Sequence, residues 1–213
     1  MNVTQYQAAA FRTAKVFAEP HKNLIHGLLG VITEIGEVAT EIKRHYAYGK
    51  VLSDDMLKHM REELGDVLWY PALIASTHGK DLGKLLSDVM NQATDLGYTS
   101  EVTFGDLQVE LPVIVSAGRL HHFDDVEHFV FTSGLAIGAL VGSLFPSDAG
   151  VELEDSLPMV VSVVALGCKV FGFSMREIAE ENVAKLKLRF PDAFSAADAE
   201  ARADKGGLPA LVS

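Results

Sequence analysis

Four acidic residues stand at a spacing that suggests chemistry. Glu34 and Glu37 are separated by two residues, and so are Glu63 and Asp66. On an α-helix, positions i and i+3 share a face, so each pair points two carboxylates in one direction. If the two helices are neighbours, four acids converge. Unpaired anions cannot share a buried site without cations. Hard divalent ions with oxygen ligands answer that need, and Mg²⁺, with Mn²⁺ as its substitute, suits phosphate chemistry best. The surroundings favour an inward face: Val31, Ile32, Ile35 and Val38 flank the first pair, and Asp66 sits in Leu-Gly-Asp-Val-Leu-Trp-Tyr. Taken alone, such pairs are mostly exposed charges, here balanced by Lys43, Arg44 or Arg61. Gly36 and Gly65 shift the balance. A glycine inside a helix costs ~1 kcal/mol, which is more easily explained where something approaches the helix closely.

The acids require two helices to hold them. Apolar residues at 24, 25, 28, 31, 32, 35, 38 and 42 follow a helical period and predict a helix over 23–46. Ser53 caps a second helix over 54–77, with Pro71 inside it as a kink site and His78-Gly79 as its end. A short connection makes the two antiparallel neighbours. Before them, 4–19 reads as a helix with Thr4 as N-cap and Pro20 as its stop; after them comes a short helix over 81–95. Residues 97–115 are rich in β-branched residues, with glycine and proline, and read as an irregular connector with short strands. Helices return over 124–144, 153–171 and 174–189, and the tail from 195 is small and polar. Both halves read as a helix pair, a glycine and a short amphipathic helix, which raises an internal duplication as an expectation. Similar helical periodicity alone produces the same match. The division expected is 1–96 for the acid-bearing half, 97–123 for a connector, 124–194 for a second helical half and 195–213 for a tail.

The net charge is −11. A body this acidic is a poor generic partner for nucleic acid or an anionic membrane. It also repels free nucleotides, so a nucleotide enzyme of this charge needs bound cations or local bases. Cys168 is the lone cysteine and cannot form an internal disulfide, which fits a reducing, cytoplasmic setting. No signal-peptide pattern opens the sequence. The apolar runs Phe129–Leu144 and Leu157–Gly172 are shorter than the ~20 residues a membrane span needs, and read as buried helices.

Around the acids the text resembles the MazG-like nucleoside triphosphate pyrophosphohydrolases, in their phage and bacterial branch. Tyr6–Ala14, Leu28–Lys43 and Glu62–Tyr70 carry the likeness, with Glu-x-x-Glu on one helix and Glu-x-x-Asp on the next. Asn182–Phe194 resembles that family's closing helix. The resemblance spans 4–92 and 172–194 and leaves 97–170 unexplained. It implies an all-α helical bundle, pseudo-dimeric if the halves are a duplication, that assembles as a homodimer or tetramer. It implies metal-dependent hydrolysis of a ribo- or deoxyribonucleoside triphosphate to the monophosphate and pyrophosphate, with a purine such as guanine as the guessed base. By position, Glu34, Glu37, Glu63 and Asp66 would be catalytic metal ligands, and Asn182, Lys185 and Arg189 would contact the phosphates. Two departures stand out. Thr33 occupies a place where many relatives carry another glutamate, and Val89 and Gln92 occupy the places where compact relatives carry the Asn-x-x-Lys. Complementary loss between two fused copies would explain the second.

Other residues have ordinary roles open to them as well. Trp69 and Tyr70 could stack on a base or serve the core. Lys50, Lys43 and Arg12 could meet an anion or water. His121, His122, Asp124, Asp125 and His128 cluster, but the Asp-x-x-His lacks the second such motif that a helical dimetal site uses. A phosphate-binding glycine loop, a dinucleotide fingerprint, zinc spacing and a nucleophile elbow are all absent from the sequence. Two alternatives stay open: a phosphatase cleaving at another phosphate, and a nucleotide-binding protein of the same fold without catalysis.

Overall fold

A computed structural model describes residues 1–94, 96–116, 125–144 and 151–201. Among them the chain forms nine α-helices: α1 (Val3–Phe11), α2 (Pro20–Tyr46), α3 (Asp54–Thr77), α4 (Leu82–Ala93), α5 (Phe104–Ser116), α6 (Asp125–Gly142), α7 (Leu153–Phe171), α8 (Met175–Arg189) and α9 (Ala196–Ala201). The described residues adopt the all-α class that was expected.

Two antiparallel hairpins build the centre. In the first, Ile74 lies over Gly27 and Tyr70 over Gly30, while His59 faces Glu37 and Glu41. In the second, Phe129 of α6 lies over Gly167 of α7, and Ser143 just past α6 donates to Ser156. The hairpins meet where Leu64 of α3 packs on Gly167, and where Tyr46 donates a 3.1 Å hydrogen bond to Glu127. The shared core is aliphatic: Leu64, Val67, Leu68 and Ile74 on α3 and Val160, Val161, Val164 and Leu166 on α7 are buried. From Ser156 to Cys168, α7 is buried at every residue but Met159. No single described helix is long and apolar enough to cross a membrane.

Each hairpin ends in a glycine with positive φ, Gly79 at 67° and Gly172 at 72°, where a side chain would strain the backbone. Each glycine is followed by a short helix capped by a side chain, Asp81 for α4 and Ser174 for α8. The short helices cross over. α4 packs chiefly on α7, and α8 packs chiefly on α3. That exchange carries residues from the far end of the sequence onto the acid-bearing hairpin.

Three local readings are corrected. α1 is capped by Asn2, reciprocally with Gln5, and stops at Phe11 rather than running to 19; Thr4 instead donates to Asp81 and to the Ser100 carbonyl. Pro20 opens α2 instead of closing α1, since its fixed φ suits a first helical position. The supposed irregular connector contains α5. Thr103 and Asp106 cap it reciprocally, at 2.9 and 3.3 Å, and Phe104, Leu107 and Leu111 bury one face. That capping box and stripe outweigh the β-branched residues and Pro112. Asp125 and His128 sit in the opening turn of α6; His121, His122 and Asp124 lie outside the described residues.

Candidate functional site

Close approach of α3 and α8 to their neighbours sets the site. At Gly30 an added Cβ would fall 1.9 Å from the Tyr70 ring. Only glycine lets that ring lie on α2, where the Tyr70 hydroxyl donates to Glu34 at 3.4 Å. At Gly65 a Cβ would meet Asn182 at 3.3 Å, so α8 rides close over α3. Gly36, expected to serve the same purpose, has open space around it.

Glu34, Glu63 and Asp66 each present a carboxylate oxygen within 4.8 Å of the others. Glu37, His59 and Glu63 form a second group by the same measure, so Glu63 belongs to both. Glu63 is buried, at 3% exposure, while Glu34 and Asp66 are half-buried and Glu37 is exposed. Burial pushes the Glu63 carboxyl up to about 8, helped by Glu34, Asp66 and Glu37. Burial also raises Glu34. The arrangement therefore concentrates negative charge that protons or cations must balance. Three oxygen donors converging on one point fit a hard divalent ion. Thr33 donates to the Gly30 carbonyl at 2.9 Å and lies 3.4 Å from Glu34, so it sits beside that acid instead of supplying another.

α8 supplies the counter-charge. Lys185 Nζ lies 2.5 Å from both oxygens of Asp66 and 3.5 Å from Glu62. The Asn182 amide donates to Asp66 at 2.8 Å, and Asn182 accepts from the buried Tyr6 hydroxyl at 2.9 Å. Burial holds the Tyr6 phenol well above its usual range, with Asp66 adding to the effect, so Tyr6 stays a neutral donor.

Beside the acids runs a cleft of about 400 Å³. Glu34, Glu37, Glu63 and Asp66 line it together with Lys15, Lys185 and Arg189. Its apolar part is aromatic: His26, Trp69 and Tyr70 meet edge to face, and Phe190 and Phe194 lie 5.5 Å apart. The Trp69 indole N–H is spent on the Ala10 carbonyl and Thr13 hydroxyl, each at 3.2 Å. His26 Nδ1 is buried with no hydrogen-bond partner, and burial, with Lys15 nearby, lowers its basicity.

The expected residues separate into three groups. Glu34, Glu37, Glu63, Asp66, Trp69, Lys185 and Arg189 share the cleft. Asn182 is behind it, buried between Tyr6 and Asp66, where it orients an acid instead of facing an open anion site. Lys50 is elsewhere: it is exposed in the α2–α3 turn, where its carbonyl pairs with His45 at 2.7 Å. Arg12 likewise fastens the turn after α8 by donating to the carbonyls of Phe190, Pro191 and Asp192. Sequence reasoning missed His59, Tyr6 and His26. The signal for His59 was present, because it lies one turn ahead of Glu63 on the same face. Cys168 is buried and its thiol is pushed up to about 12, which leaves it unreactive.

Residues 20–95 match the family model of the MazG nucleotide pyrophosphohydrolase domain. The match opens on the first residue of α2 and takes in α3 and α4. No curated protein and no solved structure gives a significant match to the chain.

Proposed function

We propose, from the premise that residues 20–95 are a MazG-like nucleotide pyrophosphohydrolase segment, that the chain hydrolyses a nucleoside triphosphate to the monophosphate and pyrophosphate with Mg²⁺. The observation that carries this reading is the convergence of Glu34, Glu63 and Asp66 on the wall of a cleft that also offers Lys185, Arg189 and an aromatic end. Glu34, Glu63 and Asp66, with Glu37 beside them, would hold the ion. Bound there, it would neutralise phosphate oxygens and acidify an attacking water.

The chain's own groups do the rest. Lys185 and Arg189 bring positive charge to an acidic body that otherwise repels nucleotides. Tyr6 and Asn182 hold Asp66 in place, and Tyr70 and Thr33 hold Glu34. Trp69 acts through its ring face, since its N–H is already engaged. A purine such as guanine would give that aromatic end the larger stacking partner. The proposed setting is cytoplasmic. The proposed assembly is a homo-oligomer, supported by the exposed apolar stripe Ile25, Leu29 and Ile32 on α2.

A screen of the eight common nucleoside triphosphates with Mg²⁺ or Mn²⁺, with products separated by chromatography, tests the reading. Monophosphate and pyrophosphate are the expected products. Orthophosphate release would move the cleavage to another phosphate, and absence of turnover with all eight would overturn the enzymatic reading.

A further inference from the structure

His59 has no place in the reaction outlined above, yet both of its ring nitrogens face carboxylates. Nε2 lies 3.0 Å from Glu63 and 3.4 Å from Glu37, and Nδ1 lies 3.4 Å from Glu41. Glu41 is buried, at 5% exposure. One of its oxygens also accepts from Arg44 at 2.8 Å, while the other, Oε2, is buried without a hydrogen-bond partner. An unpaired buried carboxylate oxygen is costly.

This is the layout of a ligating histidine. Such residues bind through one ring nitrogen and donate the other N–H to a carboxylate that fixes the tautomer. Here Glu41, held by Arg44, is the carboxylate nearest Nδ1, at 3.4 Å, and Nε2 is the nitrogen nearer Glu37 and Glu63. An imidazole among the donors favours first-row transition ions over Mg²⁺ or Ca²⁺.

We propose that Glu37, His59 and Glu63 form a second cation site for a divalent first-row transition ion, distinct from the all-oxygen site of Glu34, Glu63 and Asp66, with Glu63 shared between the two. Glu41 is a positioning residue that orients the His59 ring. The proposal needs no step of the hydrolysis and stands or falls by metal binding alone.

Pulsed electron paramagnetic resonance of Mn²⁺ added to the full chain tests it, with bound Mn²⁺ counted by equilibrium dialysis. Wild type should bind two Mn²⁺ and show coupling to an imidazole nitrogen. His59→Gln should lose that coupling and one ion. Asp66→Asn should keep the coupling while weakening the other ion. Glu41→Gln, which removes a buried charge without removing a ligand, should weaken the nitrogen-coupled ion by roughly 10–100-fold. No nitrogen coupling in wild type, or its persistence in His59→Gln, would overturn the site. Loss of coupling in Asp66→Asn would overturn its separateness. A chain that shows the coupling but turns over no nucleotide would sink the hydrolase reading and leave this one standing.

Discussion

Where α3 buries Glu63 against Glu34, α7 buries Ser156, the same distance ahead of the left-handed glycine that closes its hairpin, and Ser156 accepts a 3.0 Å hydrogen bond from Ser143. Both hairpins pack well, and both close on a glycine and a capped short helix. Among the described residues, the first brings carboxylates within coordinating distance of one another and the second does not. The second packs without gathering carboxylates at one point among its described residues. The acids of the first crowd negative charge that a cation would offset under the proposed function, and the crossing of α8 onto α3 brings Lys185 to Asp66.

The sharpest way to break this contrast is to neutralise the two α3 acids one at a time. Glu63→Gln and Asp66→Asn should each lower kcat by more than about 100-fold, since loss of a ligand should exceed the 10–100-fold that loss of a ligand's hydrogen-bond partner costs. Ser156→Ala in the second hairpin should leave kcat/KM unchanged. Steady-state kinetics on the three variants decides it; equal losses would place the chemistry elsewhere.

Lys185→Ala should have a smaller effect, raising KM for the triphosphate while the chain stays folded by circular dichroism. A fully active variant would remove Lys185 from the substrate's path.

Stability should separate the hairpins as well. Gly30→Ala drives a methyl into the Tyr70 ring and should cost about 1–3 kcal/mol by overpacking. Gly138→Ala on α6 meets nothing within 4 Å and should gain up to ~1 kcal/mol from helix propensity. Urea denaturation of the two variants reads the opposite signs.

The mildest prediction concerns pH. In the folded chain the Glu63 carboxyl is raised from 4.5 to about 8. Between those values the folded state holds more protons than the unfolded one, so this group's stabilisation is full below 4.5 and lost as pH rises through 8. Metal competes with those protons. Added Mg²⁺ should therefore raise Tm more at alkaline than at mildly acidic pH. An equal rise at both would contradict the raised carboxyl.

Much of this was legible in the sequence. Apolar periodicity located α2, α3, α6, α7 and α8 within a few residues, and the i, i+3 spacing marked the acids that share the cleft. α5 was hidden by its β-branched residues and Pro112, although Thr103-x-x-Asp106 announced its start. Lys50 was misplaced because charge near a motif says nothing about which way a turn faces. Tyr6, His26 and the crossing of α8 depend on contacts between segments far apart in sequence, which no local pattern encodes. The two halves share a plan of hairpin, glycine and short helix.

Under the proposed function, the first hairpin gathers its carboxylates to hold a divalent ion. Calorimetric titration of Mg²⁺ into the metal-free chain and into Glu63→Gln at alkaline pH tests it most directly. Saturable binding by the wild type and its loss in the variant are predicted; indistinguishable titrations would contradict the account.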